Sequence, residues 1–191
     1  MFREYVDVLF AFNKKFIIIG NNNAITYKEF FPHIKNGEVW LGRTLFTGTM
    51  PYFIVPNDFE VTNDRVIEEN GKRMKQVNGV CWFTNIENNK EQDAISLIKT
   101  YNPTDYPTYD NYDAINVNKT KDIPYDYDEV IGVPITALKY LCLDGLLHFD
   151  SPISTDGRQL YKILSNGDKG VLRGTINGNI VYCRILIQRI N

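Results

Sequence analysis

The chain has 191 residues, a formal net charge of −2 and 43% hydrophobic residues. That length makes one domain with room for a substantial insertion, and it buries roughly 70% of the surface its unfolded form exposes. With 21 basic against 23 acidic residues, composition excludes a protein that binds nucleic acid by bulk charge, and equally an acidic disordered segment.

Cys81, Cys142 and Cys183 are widely spaced, odd in number and free of any CxxC pair. That pattern argues against a disulfide framework or zinc cluster and for a reducing compartment. Three small buried hydrophobes is the favoured reading. Arg3 and Glu4 interrupt the start and no long apolar run follows, so a soluble, cytoplasmic protein with no membrane partner is expected.

Taken in order, Phe2, Tyr5, Val6, Leu9 and Phe12 fall at helical spacing, widened by Val8 and Phe10, and Asn13 is a plausible stop. Phe16–Ile19 is a continuous apolar run, read as a strand covered on both faces as in a parallel sheet. Gly20, Asn21, Asn22 and Asn23 then turn the chain, because Gly and Asn tolerate positive φ. Thr26 with Glu29 forms a capping-box pattern, which predicts a helix from Tyr27 towards Lys35, kinked or split at Pro32 and ended by Asn36-Gly37. A strand, turn and helix in that order place ligand sites at the carboxyl ends of strands; a capped connection without a ligand is equally open.

Glu38–Leu41 reads as a short strand closing a βαβ-like unit, and Tyr52–Val55 as another. Residues 57–79 are polar around Asn70-Gly71 and predict a projecting β-hairpin. Val80–Thr84 reads as a second core strand. Residues 101–129 interleave Tyr101, Tyr106, Tyr109, Tyr112, Tyr125 and Tyr127 with Asn, Asp and Pro. This is the composition of an ordered, locally acidic loop, either functional or stapled to the body by its tyrosines. Val130–Ala137 and Tyr140–Phe149 return to core material. The last stretch is basic, with Arg158, Lys162, Lys169, Arg173, Arg184 and Arg189; a solvated strand face is the ordinary explanation and a phosphate-facing surface the sharper one. Asn177-Gly178 predicts a hairpin between Val171–Ile176 and Ile180–Ile187.

Catalytic patterns are missing. His33 and His148 are the only histidines, and no HExxH, GxSxG, GxxxxGK[ST] or GxGxxG follows the spacing its chemistry needs, nor is there a metal-ligand cluster. Asn166-Gly167-Asp168-Lys169-Gly170 reads as a turn.

A resemblance supplies what periodicity does not. At Phe2-Arg3-Glu4-Tyr5-Val6, at Lys15–Glu29, at Glu38-Val39-Trp40-Leu41-Gly42, at Cys81-Trp82-Phe83-Thr84-Asn85, and most distinctively from Tyr109 through Asn116, Asn118 and Lys119 to Pro124, the chain resembles the EcoRI-type adenine-specific DNA methyltransferases. Gly132-Val133-Pro134-Ile135-Thr136 continues the likeness. The resemblance implies an α/β fold: a partial class I methyltransferase (Rossmann-like) sheet with a β-rich insertion and a C-terminal extension. It implies a core at 1–86 with a hairpin insertion at about 43–79, and a target-recognition region at 87–191. It further implies methyl transfer from S-adenosylmethionine to the exocyclic amine of adenine in double-stranded DNA, with the base flipped out of the duplex.

In that family an Asn-Pro-Pro-Phe motif precedes the helix that here begins at Phe2, and neither it nor the glycine-containing cofactor loop is in this chain. The resemblance therefore leaves no catalytic, cofactor-binding or metal residue here, and the chain is expected not to methylate DNA alone. Gly20, Asn21, Asn22 and Asn23 are expected beside the adenine pocket. Tyr109, Asn111, Tyr112, Asn116, Asn118 and Lys119 are candidates for the DNA-facing side, since asparagine reads adenine and lysine contacts phosphate. The exposed edge of Phe16–Ile19 is expected to pair with a missing N-terminal half or with a second copy. A non-catalytic DNA-binding or specificity module is the alternative, and a carbohydrate-binding module a weaker one.

Overall fold

A computed structural model describes residues 2–42, 52–59, 66–76, 79–87, 95–141, 145–150, 152, 155–164 and 173–190. Helix α1 (Phe2–Ala11) opens the chain. It ends at Asn13, whose φ is +48°. There the Asn13 amide donates to the Phe10 carbonyl (2.9 Å) and the Lys14 amide to that of Leu9 (2.8 Å), the paired bonds of a Schellman cap. Val6 is buried and Leu9 and Phe10 pack against the core, whereas Tyr5, Val8 and Phe12 stay exposed. The buried stripe is thus narrower and rotated from the one the spacing predicts.

Strand β1 (Ile17–Asn21) follows, then a 3₁₀ turn over Asn22–Thr26 and helix α2 (Phe31–Lys35). The capping box does not form: the Thr26 hydroxyl donates backwards to the Asn23 carbonyl at 2.8 Å. The helix starts later than predicted, with Pro32 in its first turn, where a missing N–H costs nothing. Next come β2 (Trp40–Leu41), β3 (Tyr52–Ile54), β4 (Val66–Glu69), β5 (Lys72–Gln76) and β6 (Val80–Thr84). They are followed by β7 (Ile95–Ser96), β8 (Ile115–Asn116), β9 (Ile131–Pro134) and β10 (Leu146–Asp150). The last four are β11 (Thr155–Leu164), β12 (Thr175–Ile176), β13 (Asn179–Ile180) and β14 (Arg184–Arg189).

The first sheet has the order β1-β6-β2, with β6 antiparallel to both neighbours. Strands β1 and β2 therefore run parallel through a helical crossover, as the βαβ reading expects, but with β6 slotted between them. Among the described residues β1 is an edge strand, and its Ile17 is 60% and Ile19 46% exposed. The expectation of a strand covered on both faces in a parallel sheet is corrected here: its apolar run buries only one face. Phe16 is positioned by residues from β6 onward, its carbonyl accepting from the Thr84 hydroxyl (2.7 Å) and its amide donating to Asn85 Oδ1 (2.9 Å).

The predicted hairpin at Asn70-Gly71 forms between β4 and β5, with φ of +51° and +70° at the turn, and β3 adds to it in a small sheet of order β3-β5-β4. Residues 43–51, 60–65 and 77–78 of the expected insertion lie outside the described residues. The larger sheet runs β7-β10-β11-β14-β9-β8; its central pairings are antiparallel and its two outer ones parallel. The Asn177-Gly178 hairpin also forms, but only as the short β12–β13 pair; β14 starts afresh at Arg184 and inserts between β11 and β9. One buried cluster runs from Val6 and Phe16 through Phe83 and Phe149 to Ile187, with Phe30 edge-on to Phe83 at 5.1 Å. The molecule is a mixed α/β fold, richer in antiparallel strand than the resemblance implies.

Candidate functional site

The turn after β1 is built by its own asparagines. Asn21 Oδ1 accepts from the Asn23 amide at 2.8 Å, and the Asn22 amide donates to the Gly79 carbonyl at 2.8 Å. Gly20 is buried. Asn22 Oδ1 is also buried and has no hydrogen-bond partner, so this corner offers one unused acceptor. The four residues predicted as one cluster are brought together at the end of β1.

The Tyr/Asn block sits on the other sheet, across the ends of β8, β9 and β14. Tyr109 and Asn116 are both 5% exposed, and the Tyr109 hydroxyl donates to Asn116 Oδ1 at 2.8 Å. That oxygen also accepts from Arg184 Nε at 3.0 Å. Arg184 Nη2 donates to Asn118 Oδ1 (2.8 Å), which accepts from Asn116 Nδ2 (3.1 Å) as well. Arg184 Nη1 reaches the carbonyls of Tyr182 (3.1 Å) and Cys183 (3.2 Å). Burial raises the Tyr109 pKa strongly, and the Arg184 charge only partly opposes it, so the phenol stays a donor.

Further along, Asp110 and Asn111 grip the β12–β13 hairpin. The Asp110 carboxylate accepts from the Asn177 (3.0 Å) and Gly178 (2.8 Å) amides. Asn111 accepts from the Thr175 amide at 3.1 Å and donates to the Arg173 carbonyl at 2.6 Å. The Lys162 ammonium lies 5.6 Å from the Tyr112 ring centroid, and Lys119 and Asn118 are exposed. Of the predicted DNA-facing residues, Tyr109 and Asn116 therefore point inward as scaffold, while Asn118 and Lys119 reach the surface.

The basic C-terminal run is mostly not a phosphate face. Arg158 is fully buried and donates to the carbonyls of Pro124 (3.1 Å) and Tyr127 (3.0 Å). Its cross-strand partner Arg189 donates to the Tyr125 carbonyl and pairs with Asp128 at 2.5 Å. Two strand arginines thus clamp the acidic loop, and Lys162 and Arg173 remain exposed; Lys169 lies outside the described residues. The sequence names Arg184 only as one of this basic run, because a basic strand residue reads as solvated until its inward register is known.

The loop tyrosines staple rather than display. Tyr101 stacks on Tyr106 (5.8 Å) and packs tilted against Tyr127 (4.4 Å), and the Tyr106 hydroxyl donates to the Asp122 carbonyl at 2.9 Å. His33 lies flat on Phe10 at 3.9 Å with its Nδ1 2.5 Å from Glu38 Oε2, a packing arrangement. Cys81 and Cys183 are buried and form no disulfide among the described residues, and burial pushes the Cys81 thiol up to about 12; Cys142 lies outside the described residues. Among the described residues no histidine, cysteine or carboxylate group clusters as a metal site, and no helix is long and apolar enough to cross a membrane.

Comparison with known proteins agrees with the family resemblance. The family model described as adenine-specific methyltransferase EcoRI matches residues 1–190. The type II methyltransferase M.EcoRI of Escherichia coli is 44% identical over 98% of this chain and 54% of its own length. M.MgeORF184P of Mycoplasma genitalium is 30% identical over 99% of the chain and 61% of its own. M.MpnI of Mycoplasma pneumoniae is 28% identical over the same shares, 99% and 61%. The chain spans between about half and three fifths of the length of these relatives. No solved structure matches it.

Proposed function

The chain belongs to the EcoRI family of adenine-specific methyltransferases, and we propose that it works in restriction-modification as the DNA-facing part of an enzyme that methylates the exocyclic amine of adenine in duplex DNA. The observation that carries this reading is the family match across residues 1–190 together with 44% identity to M.EcoRI over 98% of the chain.

Within it, Gly20–Asn23 border the pocket of the flipped adenine, where the unused acceptor of Asn22 is available to a ligand amine. Residues 87–191 form the target-recognition region and residues 1–86 the edge of a class I core, a reading supported by the β1–α2–β2 crossover. S-adenosylmethionine supplies the methyl group when bound. The described glycines with positive φ, namely Gly37, Gly71, Gly79, Gly145 and Gly178, sit in separate turns and do not align as a cradle before a helix. The family resemblance assigns cofactor binding to the part of the relatives' length outside this chain. The exposed apolar edge of β1 is the place for that part, or a second copy, to join. Two buried cysteines with no disulfide among the described residues accord with a cytoplasmic location.

The test combines the chain with the portion of M.EcoRI it does not span, S-adenosylmethionine and unmethylated duplex DNA, and counts N6-methyladenine by mass spectrometry. Methylation only when both polypeptides are present supports the proposal. DNA binding without methylation in any combination favours the alternative of a non-catalytic specificity module, and absence of both binding and methylation overturns both.

A further inference from the structure

We propose that Arg184, Asn118 and Lys119 form an anion site that receives a backbone phosphate of duplex DNA. The proposal rests on the DNA-binding reading above and adds a place and a chemistry to it. Arg184 is 8% exposed, and every partner it has is a neutral oxygen: the carboxamides of Asn116 and Asn118 and the carbonyls of Tyr182 and Cys183. Among the described residues no carboxylate pairs with it. A buried guanidinium held only by dipoles has no compensating anion, an arrangement that costs stability unless something supplies the opposite charge.

The hydrogen-bond directions say which side is open. Asn116 Oδ1 is filled by Tyr109 and Arg184, and Asn118 Oδ1 by Asn116 and Arg184. Both acceptors are consumed inward. Guanidinium has five N–H donors and these contacts use four, so one remains. Asn118, whose carboxamide oxygen holds Arg184 Nη2, is exposed, and so is its chain neighbour Lys119. A guanidinium with a spare donor, a carboxamide and an ammonium on neighbouring residues make a donor-rich, net positive set, suited to a phosphodiester rather than to a base edge, which presents acceptors and donors together. Exposed Tyr182, 63% accessible, lies next to this site along the chain.

The variant that tests it is Asn118→Asp, isosteric with the native residue and still an acceptor for both inward bonds. It gives Arg184 an internal anion. Duplex binding by the chain is measured by fluorescence anisotropy from 50 to 300 mM salt, for wild type, Asn118→Asp and Lys119→Ala. In parallel, thermal unfolding of wild type and Asn118→Asp is followed with and without inorganic phosphate. The expected result is weaker binding and a log–log salt slope shallower by about 0.9 for each lost phosphate contact, in both variants. Phosphate should raise the Tm of wild type but not of Asn118→Asp, whose own Tm is unchanged or higher. Equal slopes in all three proteins would overturn the site even though DNA binds. A wild type that phosphate stabilises but duplex DNA does not bind would keep the anion site and defeat DNA as its occupant, and with it the DNA-binding reading.

Discussion

Tyr109 fills the space that a side chain on Gly132 would need: a Cβ built at Gly132 meets the Tyr109 hydroxyl and stands 2.8 Å from its Cε2 and Cζ. The glycine in β9 is what lets the ring lie against the sheet and bring its hydroxyl to Asn116. Gly132→Ala is expected to displace Tyr109 and destabilise the protein by about 1–3 kcal/mol, the usual cost of overpacking. Tyr109→Phe, which keeps the ring and loses one hydrogen bond, is expected to cost about 1 kcal/mol. Urea denaturation of both variants checks the order; a Gly132→Ala protein as stable as wild type would refute the contact.

Arg158 predicts a second loss. Its side chain satisfies the Pro124 and Tyr127 carbonyls from inside the fold. Arg158→Met leaves both unpaired and is expected to destabilise by about 1–3 kcal/mol. The loop over 101–129 should become the first site cut in limited proteolysis. Cleavage elsewhere first would mean that the arginine does not hold the loop.

Asp110 should control the β12–β13 hairpin. Asp110→Ala removes the acceptors of the Asn177 and Gly178 amides, at an exposed position where about 1 kcal/mol is expected. Hydrogen exchange at those two amides should speed up several-fold while that of β14 stays unchanged.

Alkaline pH supplies a fourth test. The Cys81 thiol is raised to about 12 by burial, above its unfolded value of about 8.5. A raised folded pKa means the folded state holds its proton longer, so this stabilisation is complete below about pH 8.5 and is lost as pH rises towards 12. Tyr109, raised by burial too, acts in the same direction. Stability should fall steadily above about pH 9, and less steeply in Cys81→Ala. Native Cys81 should resist iodoacetamide at pH 9 and react after unfolding, as read by peptide mass mapping; prompt alkylation at Cys81 in the native protein would contradict its burial.

The β1 edge gives the last. Ile17 and Ile19 share an exposed face of an edge strand. The self-association proposed for this edge predicts that the wild-type chain sediments as more than a monomer and that Ile19→Lys abolishes this without lowering Tm, since charge on an edge strand blocks pairing. A wild type that stays monomeric at high concentration would remove the premise.

By itself, the sequence determined the local pieces: the helix stopped by Asn13, the turns at Asn70-Gly71 and Asn177-Gly178, the core strand at Val80–Thr84, and the irregular tyrosine-rich loop. Each follows from the conformational preferences of a few neighbouring residues. Motif likeness also determined the family, because a long, unusual run such as Tyr109–Pro124 carries more identity than any periodicity. What only the tertiary structure decided was partnership and facing. The run at Phe16–Ile19 looks doubly covered, yet its neighbour is β6, more than sixty residues away, and one face stays open. The arginines of β11 and β14 look like one basic surface. Strand register turns Arg158 and Arg189 onto loop carbonyls and Arg184 onto two asparagines, because a side chain's direction depends on which strands flank it, and composition carries no record of that.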